Sequence, residues 1–154
     1  MAEQFKLGMK AKMYYGAAGV ETIATLTELS NVRDVTVNHE TGEADITTRA
    51  NNGFEATAAT LKKCAIDFEM VYKPGGTDLG LDAVRDAWIN NAPITLAALT
   101  DAHDAAGAEG PFGDFVITNF TRKESLAEAI IISVTAKLAK LVAYQGATVT
   151  PPAE

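Results

Sequence analysis

A single cysteine, Cys64, in a chain of 154 residues excludes an intramolecular disulfide framework and a multi-cysteine metal site. A lone thiol also suits a reducing compartment. Histidine is nearly as scarce, with His39 and His103 its two occurrences, and neither sits in a motif that activates a nucleophile. No apolar run approaches the ~18 residues of a membrane span. The opening MAEQFKLGMKAKMYYG has lysines but not the continuous apolar stretch of a secretory signal. Basic charge is in deficit: 13 Lys and Arg against 20 Asp and Glu, a net charge of −7 and a pI near 4.8. The adjacent basic pairs are Lys62-Lys63 and Arg122-Lys123, which is not the patch of a protein that grips duplex nucleic acid. The acidity serves either solubility or a surface that repels nucleic acid.

What is present reads as β-structure. The length suits one domain with its own core, with residues 1–150 as that domain and 151–154 as a short disordered end. Strands are expected over Lys10–Tyr15, Leu26–Val37, Glu43–Arg49, Phe54–Tyr72, Pro93–Leu99, Phe112–Thr121 and Ala127–Leu141, with a polar turn at Asn38–Gly42 (NHETG). Asn31 marks a bulge or turn inside the second of these. Asn51-Asn52-Gly53 turns the chain into the Phe54–Tyr72 run. As one straight strand that run spans roughly 60 Å at about 3.3 Å per residue. A compact domain of this length is roughly 40 Å across, so the strand bends or leaves the domain. From Cys64 onward Cys64, Ile66, Phe68, Met70 and Tyr72 alternate with Ala65, Asp67 and Glu69.

One helix is expected after the break at Pro74-Gly75-Gly76, capped by Thr77 or Asp78 and running to about Asn90. Leu81, Val84, Ala87 and Trp88 fall on one helical face, with Trp88 as a core anchor. Ser125-Leu126-Ala127-Glu128 matches a helix capping box. The β-branched run Ile130–Ile132 and the period-two face Ile130, Ile132, Val134, Ala136, Leu138 favour a strand instead. The fold class is mainly β: an antiparallel β-sandwich or barrel with one flanking α-helix and an extended strand or hairpin.

Chemistry is thin. Asp101, His103 and Asp104 offer oxygen and nitrogen donors, but four to six ligands are not in view, so a solvated loop is the plainer reading. Cys64 alternates with core residues and reads as a small core side chain. Asp67 and Glu69 form a carboxylate pair with nothing nearby to desolvate them. Gly75-Gly76 lacks the tail of a phosphate loop and Gly16–Gly19 the context of a dinucleotide fingerprint. No catalytic residue, cofactor or metal site is expected.

The order NVRDVTVNHETGEADITTRANNGFEATAATLKKCAIDFEMVY, followed by a helix ending near DAWINNAPI, resembles the major tail tube proteins of tailed bacteriophages and prophages. Its most specific parts are Val32–Val35, Glu43–Arg49 and the Gly53-Phe54 turn into the long strand. The likeness covers about Lys10 to Leu141, and the alanine-rich loop Thr100–Gly113 departs from it. The family is similar to the inner tube proteins of contractile tails and of type VI secretion systems. The resemblance implies a structural subunit, not an enzyme, that forms stacked and usually hexameric rings around a channel for DNA, which passes without specific binding. It implies self-association, tape-measure, tail-tip and tail-terminator proteins as partners, no membrane, and a place in the virion tail after assembly in the host cytoplasm.

On that reading Glu55, Ala56, Thr57, Ala58, Ala59, Thr60, Leu61, Lys62 and Lys63 form the strand shared between subunits, while Cys64–Tyr72 stays in the protomer core. Asp34, Glu43, Asp45, Glu55, Asp67 and Glu69 are candidates for a negative lumen, against plain solvent exposure on the outer wall. Gly16–Thr22, Pro74–Thr77 and Thr100–Gly113 are the ring-to-ring candidates by elimination. The alternative function is a β-sandwich binding module that recognises a ligand or partner through its loops.

Overall fold

The computed structural model describes residues 5, 7–73 and 79–147. Seven antiparallel strands form one sheet in the order β2-β1-β5-β6-β7-β4-β3. The strands are β1 (Lys12–Ala17), β2 (Thr27–Glu28), β3 (Val32–Asp45), β4 (Thr57–Val71), β5 (Ile94–Leu99), β6 (Gly110–Lys123) and β7 (Ile131–Gln145), with helix α1 (Leu79–Ile89) between β4 and β5. The fold is mainly β, as the alternation predicts, and the barrel stays open: β2 and β3 are the two ends of the sheet.

The long strands β6 and β7 carry the sheet around its bend. Their ladder slips at Phe112/Gly113, Asp114/Phe115 and Ile117/Asn119, and such slips bend and twist a strand pair. Gly113 is required in this stretch, since a Cβ there would run into the Lys140 carbonyl. The curl brings β3 back towards β1, β5 and the end of β7. His39 of β3 meets Tyr144 of β7 at 3.2 Å, Nε2 to Oη, and an open groove of about 790 Å³ separates β3 from β1 and β2.

Inside the curl, Ile66, Phe68 and Met70 of β4 pack with Ile132, Val134 and Ala136 of β7, Phe115 and Ile117 of β6, and Leu81, Val84 and Ala87 of α1. β5 is buried on both faces, with Ala97 and Leu99 in a second cluster beside Tyr14, Leu26 and Phe112. Its buried Thr95 is satisfied: Oγ1 lies 2.7 Å from Asp114 Oδ1 and 2.9 Å from the Ala17 carbonyl.

Several boundaries move for physical reasons. NHETG is not a turn. It runs straight through β3, because Asn38, His39, Glu40 and Thr41 pair with Ala65, Cys64, Lys63 and Lys62, and ladder bonding outweighs local turn propensity. The irregularity is a bulge between Thr41 and Glu43, where a Cβ on Gly42 would meet the Thr60 hydroxyl. The Leu26–Val37 run splits into β2 and β3 at Asn31, whose Nδ2 donates to the Val71 carbonyl at 2.9 Å.

β3 ends at Asp45, not Arg49, and β4 starts at Thr57, not Phe54, so Glu55 and Ala56 lie outside the strand. Around the turn, Asn52 and Gly53 take left-handed φ of 53° and 81°, and Ala56 N–H donates to the Thr47 hydroxyl at 2.9 Å in place of a ladder bond. The last strand begins at Ile131, not Ala127. The Ser125–Glu128 box closes a single turn by Glu128 N–H to the Ser125 carbonyl, 3.2 Å, and no helix follows.

α1 ends as predicted. Asn91 takes φ 51° and Ala92 N–H donates back to the Ala87 carbonyl at 3.0 Å, closing the helix before Pro93. Its expected cap, Thr77 or Asp78, lies outside the described residues, as do the Pro74–Thr77 contact candidate and the 151–154 end. Trp88 is not a core anchor. It is 45 % exposed at the margin of the helix face and stacks on Phe120 of β6, ring centroids 6.2 Å apart.

Candidate assembly surfaces

The strand that sequence alone makes too long divides into two differently paired halves. β4 pairs with β3 along its whole length, but with β7 only from Ala65 to Val71. Before Ala65 the hairpin β3–β4 projects as a two-stranded ribbon, and Ala59 to Lys63 are all exposed. Beyond Ala65, Ile66, Phe68 and Met70 are fully buried. The turn point lies next to Lys62-Lys63, where clean alternation begins.

The ribbon belongs to a four-stranded layer, β6-β7-β4-β3, whose outer face is polar. Register places Thr36, Asp67, Thr135 and Asn119 in one row, and Glu69, Ser133 and Thr121 in the next. Asp67 is the hub: Oδ2 accepts from Asn38 Nδ2 at 2.8 Å and Oδ1 from the Thr135 hydroxyl at 2.7 Å. Lys137 shares the face, opposite Ala65.

This layer ends in unpaired strand on both sides. Among the described residues β3 bonds only to β4, and β6 has β5 beside it only from Phe112 to Phe115, which leaves its edge open from Val116 to Lys123. Such edges are templates for another strand.

The six candidate carboxylates do not form one cluster. Asp67 and Glu69 lie half-buried on the polar face, and Asp34 is exposed in the register shift between Val32 and Val35. Glu43 and Asp45 lie on the ribbon and Glu55 just past its turn, all exposed. The partner of Glu43, Ala59, is eight residues from Asp67, roughly 26 Å along the strand. The Thr47 hydroxyl and backbone N–H hold the Asp45 carboxyl below its ordinary value, with the N–H to Oδ1 distance 2.9 Å.

Of the other contact candidates, Gly16 and Ala17 belong to β1, and Gly110–Gly113 belong to β6. What sequence reasoning missed is the open edge of β6, which only topology reveals.

Among the described residues no three His, Cys, Asp or Glu side chains stand together as a metal site. His103 packs edge-on to Tyr14 at 5.5 Å, and its backbone N–H donates to the Tyr14 hydroxyl. Burial pushes the Cys64 thiol up, away from the nucleophilic thiolate.

At the level of sequence no family model and no curated protein matches the chain. Solved structures do. The tail of an empty gene transfer agent particle, refined with C6 symmetry, superposes with a TM-score of 0.69 over 94 % of this chain and 100 % of its own, at 13 % identity. A chain of the native gene transfer agent virion also gives 0.69, over 92 % of this chain and 99 % of its own, at 13 % identity. The SPP1 tail tube gives 0.65, over 90 % of this chain and 76 % of its own, at 15 % identity. The chain has the tail-tube fold.

Proposed function

We propose that the protein is the structural subunit of a tail tube. The observation that carries the reading is a polar four-stranded layer with open edges at both sides, β3 on one and Val116–Lys123 of β6 on the other. In a ring, β3 of one copy lies beside β6 of the next, a head-to-tail contact that closes on itself and leaves no exposed edge. The ribbon half of β4, Thr57–Lys63, then lies against a neighbour.

Rings of this kind, hexameric by likeness to the C6 tail, stack into a hollow tube. The polar face lines its channel, where Asp67 and Glu69 repel phosphate and let DNA pass without sticking. The subunit works in the virion tail after assembly in the host cytoplasm, beside tape-measure, tail-tip and tail-terminator proteins.

Negative-stain microscopy with sedimentation over a wide range of protein concentration and salt tests this. Rings or tubes of uniform width are expected. A monomer that persists under every condition overturns it.

A further inference from the structure

The inward face of the four-stranded layer holds an apolar row that is filled at its centre and open at both ends. Register sets Val35 of β3, Phe68 of β4, Val134 of β7 and Phe120 of β6 side by side. Phe68 and Val134 are each 2 % exposed, whereas Val35, at one open edge, is 36 % exposed. At the other edge Phe120 stacks on Trp88, the chain's one tryptophan, which is itself 45 % exposed. Ile89, next to it at the end of α1, is 56 % exposed. Beside Val35 lies the open groove between β3 and the β1–β2 pair, lined by Met13, Leu29 and Val32. One edge therefore presents large apolar side chains, and the other an apolar hollow.

Antiparallel pairing throughout β6, β7, β4 and β3 makes β3 run opposite to β6. A copy turned about a ring axis keeps its strand direction and its level, so its β6 meets β3 antiparallel. Closing a barrel staggers the register, and steps of two residues keep inward side chains inward. Resting on the ring reading, we infer that the Trp88–Phe120 stack of one copy anchors the seam by seating in the β3 groove of the next. Val32 and Val35 lie against the stack, and Ile89 leaves water with it. The partner is a second copy of the same chain, because knob and hollow stand at the two edges that the ring brings together. Charge does not choose it. The groove carries Lys12 and Arg33 with Glu28 and Asp34, and near the stack Arg85 pairs with Asp82 and Arg122 with Glu124. Apolar burial carries the contact, and a tryptophan withdrawn from water supplies a large share of it.

Because Trp88 is the chain's one tryptophan, its fluorescence reads the seam in the unmodified protein. Sedimentation and acrylamide quenching are followed together across a dilution series. As rings replace monomer, quenching is expected to fall to about half and the emission to move to the blue. Val35→Ser, at the opposite edge, is expected to raise the concentration needed for rings roughly ten-fold, with Trp88 quenchable up to that point. Trp88→Ala is expected to raise it roughly thirty-fold. Thermal melts check that each variant is folded.

Rings in which Trp88 is as quenchable as in the monomer overturn the inference. Either variant assembling at the wild-type concentration overturns it too. These outcomes leave the ring reading standing. A wild-type chain that forms no rings at any concentration removes both.

Discussion

At the scale of single residues, the chain's one thiol shows how placement decides chemistry. Cys64 pairs across from His39 at the last position of β4 before the buried half begins. Burial raises its pKa, so the folded protein keeps this proton at pH values where an unfolded chain releases it. The stability tied to that difference is intact below the ordinary thiol value and is lost as pH rises through the raised one. Iodoacetamide should therefore alkylate Cys64 more slowly in the native protein than in urea at the same mildly alkaline pH, followed by mass spectrometry. Equal rates would mean that the thiol is not desolvated. Trp88 makes the complementary point. Its helical spacing with Leu81 and Val84 is real, but it sits at the margin of the face, so it stacks on Phe120 and stays half in water.

Among the elements, the bend in β6 and β7 controls the fold. These two strands carry three register slips within one ladder, and Gly113 sits where the backbones approach too closely for a Cβ. Gly113→Ala should cost about 1–3 kcal/mol, the range for overpacking a filled interior, measured as a drop in the urea midpoint at unchanged slope. Unchanged stability would show that the bend does not depend on this approach. The strands themselves were largely legible, because period-two alternation records which face is buried, and β4 and β7 alternate cleanly. Asn38–Gly42 was not. Its residues are turn formers locally, and the partner strand that holds them extended is distant in sequence. Ser125–Glu128 is the reverse case, a local capping pattern that the β-branched run Ile130–Ile132 outweighs, and no helix follows it.

For the whole molecule, the question is which face becomes the inner wall. Asp67 is tied to Asn38 and Thr135, and with Glu69 it gives the polar layer negative groups held in place. If this layer lines the channel, Asp67→Lys/Glu69→Lys should yield tubes of wild-type width that retain labelled DNA, with retention falling steeply as salt rises. Tubes that exclude DNA as wild type does would put these carboxylates on the outside. Glu43 and Glu55 should have little effect on retention, since they stand at the ribbon end, far from Asp67 along the strand.

By itself the sequence determined the mainly β character, the one helix and its stop at Asn91, the turn at Asn52-Gly53, and the change of character within the long strand near Lys62-Lys63. Each is a local property, carried by alternation, helical spacing or the left-handed tolerance of Asn and Gly. Only the tertiary structure decided which strands are neighbours, and therefore that β4 leaves β7 at Ala65 and that β3 and the far half of β6 are open edges. An edge is the absence of a neighbour, and no window of sequence contains the strand that is not beside it.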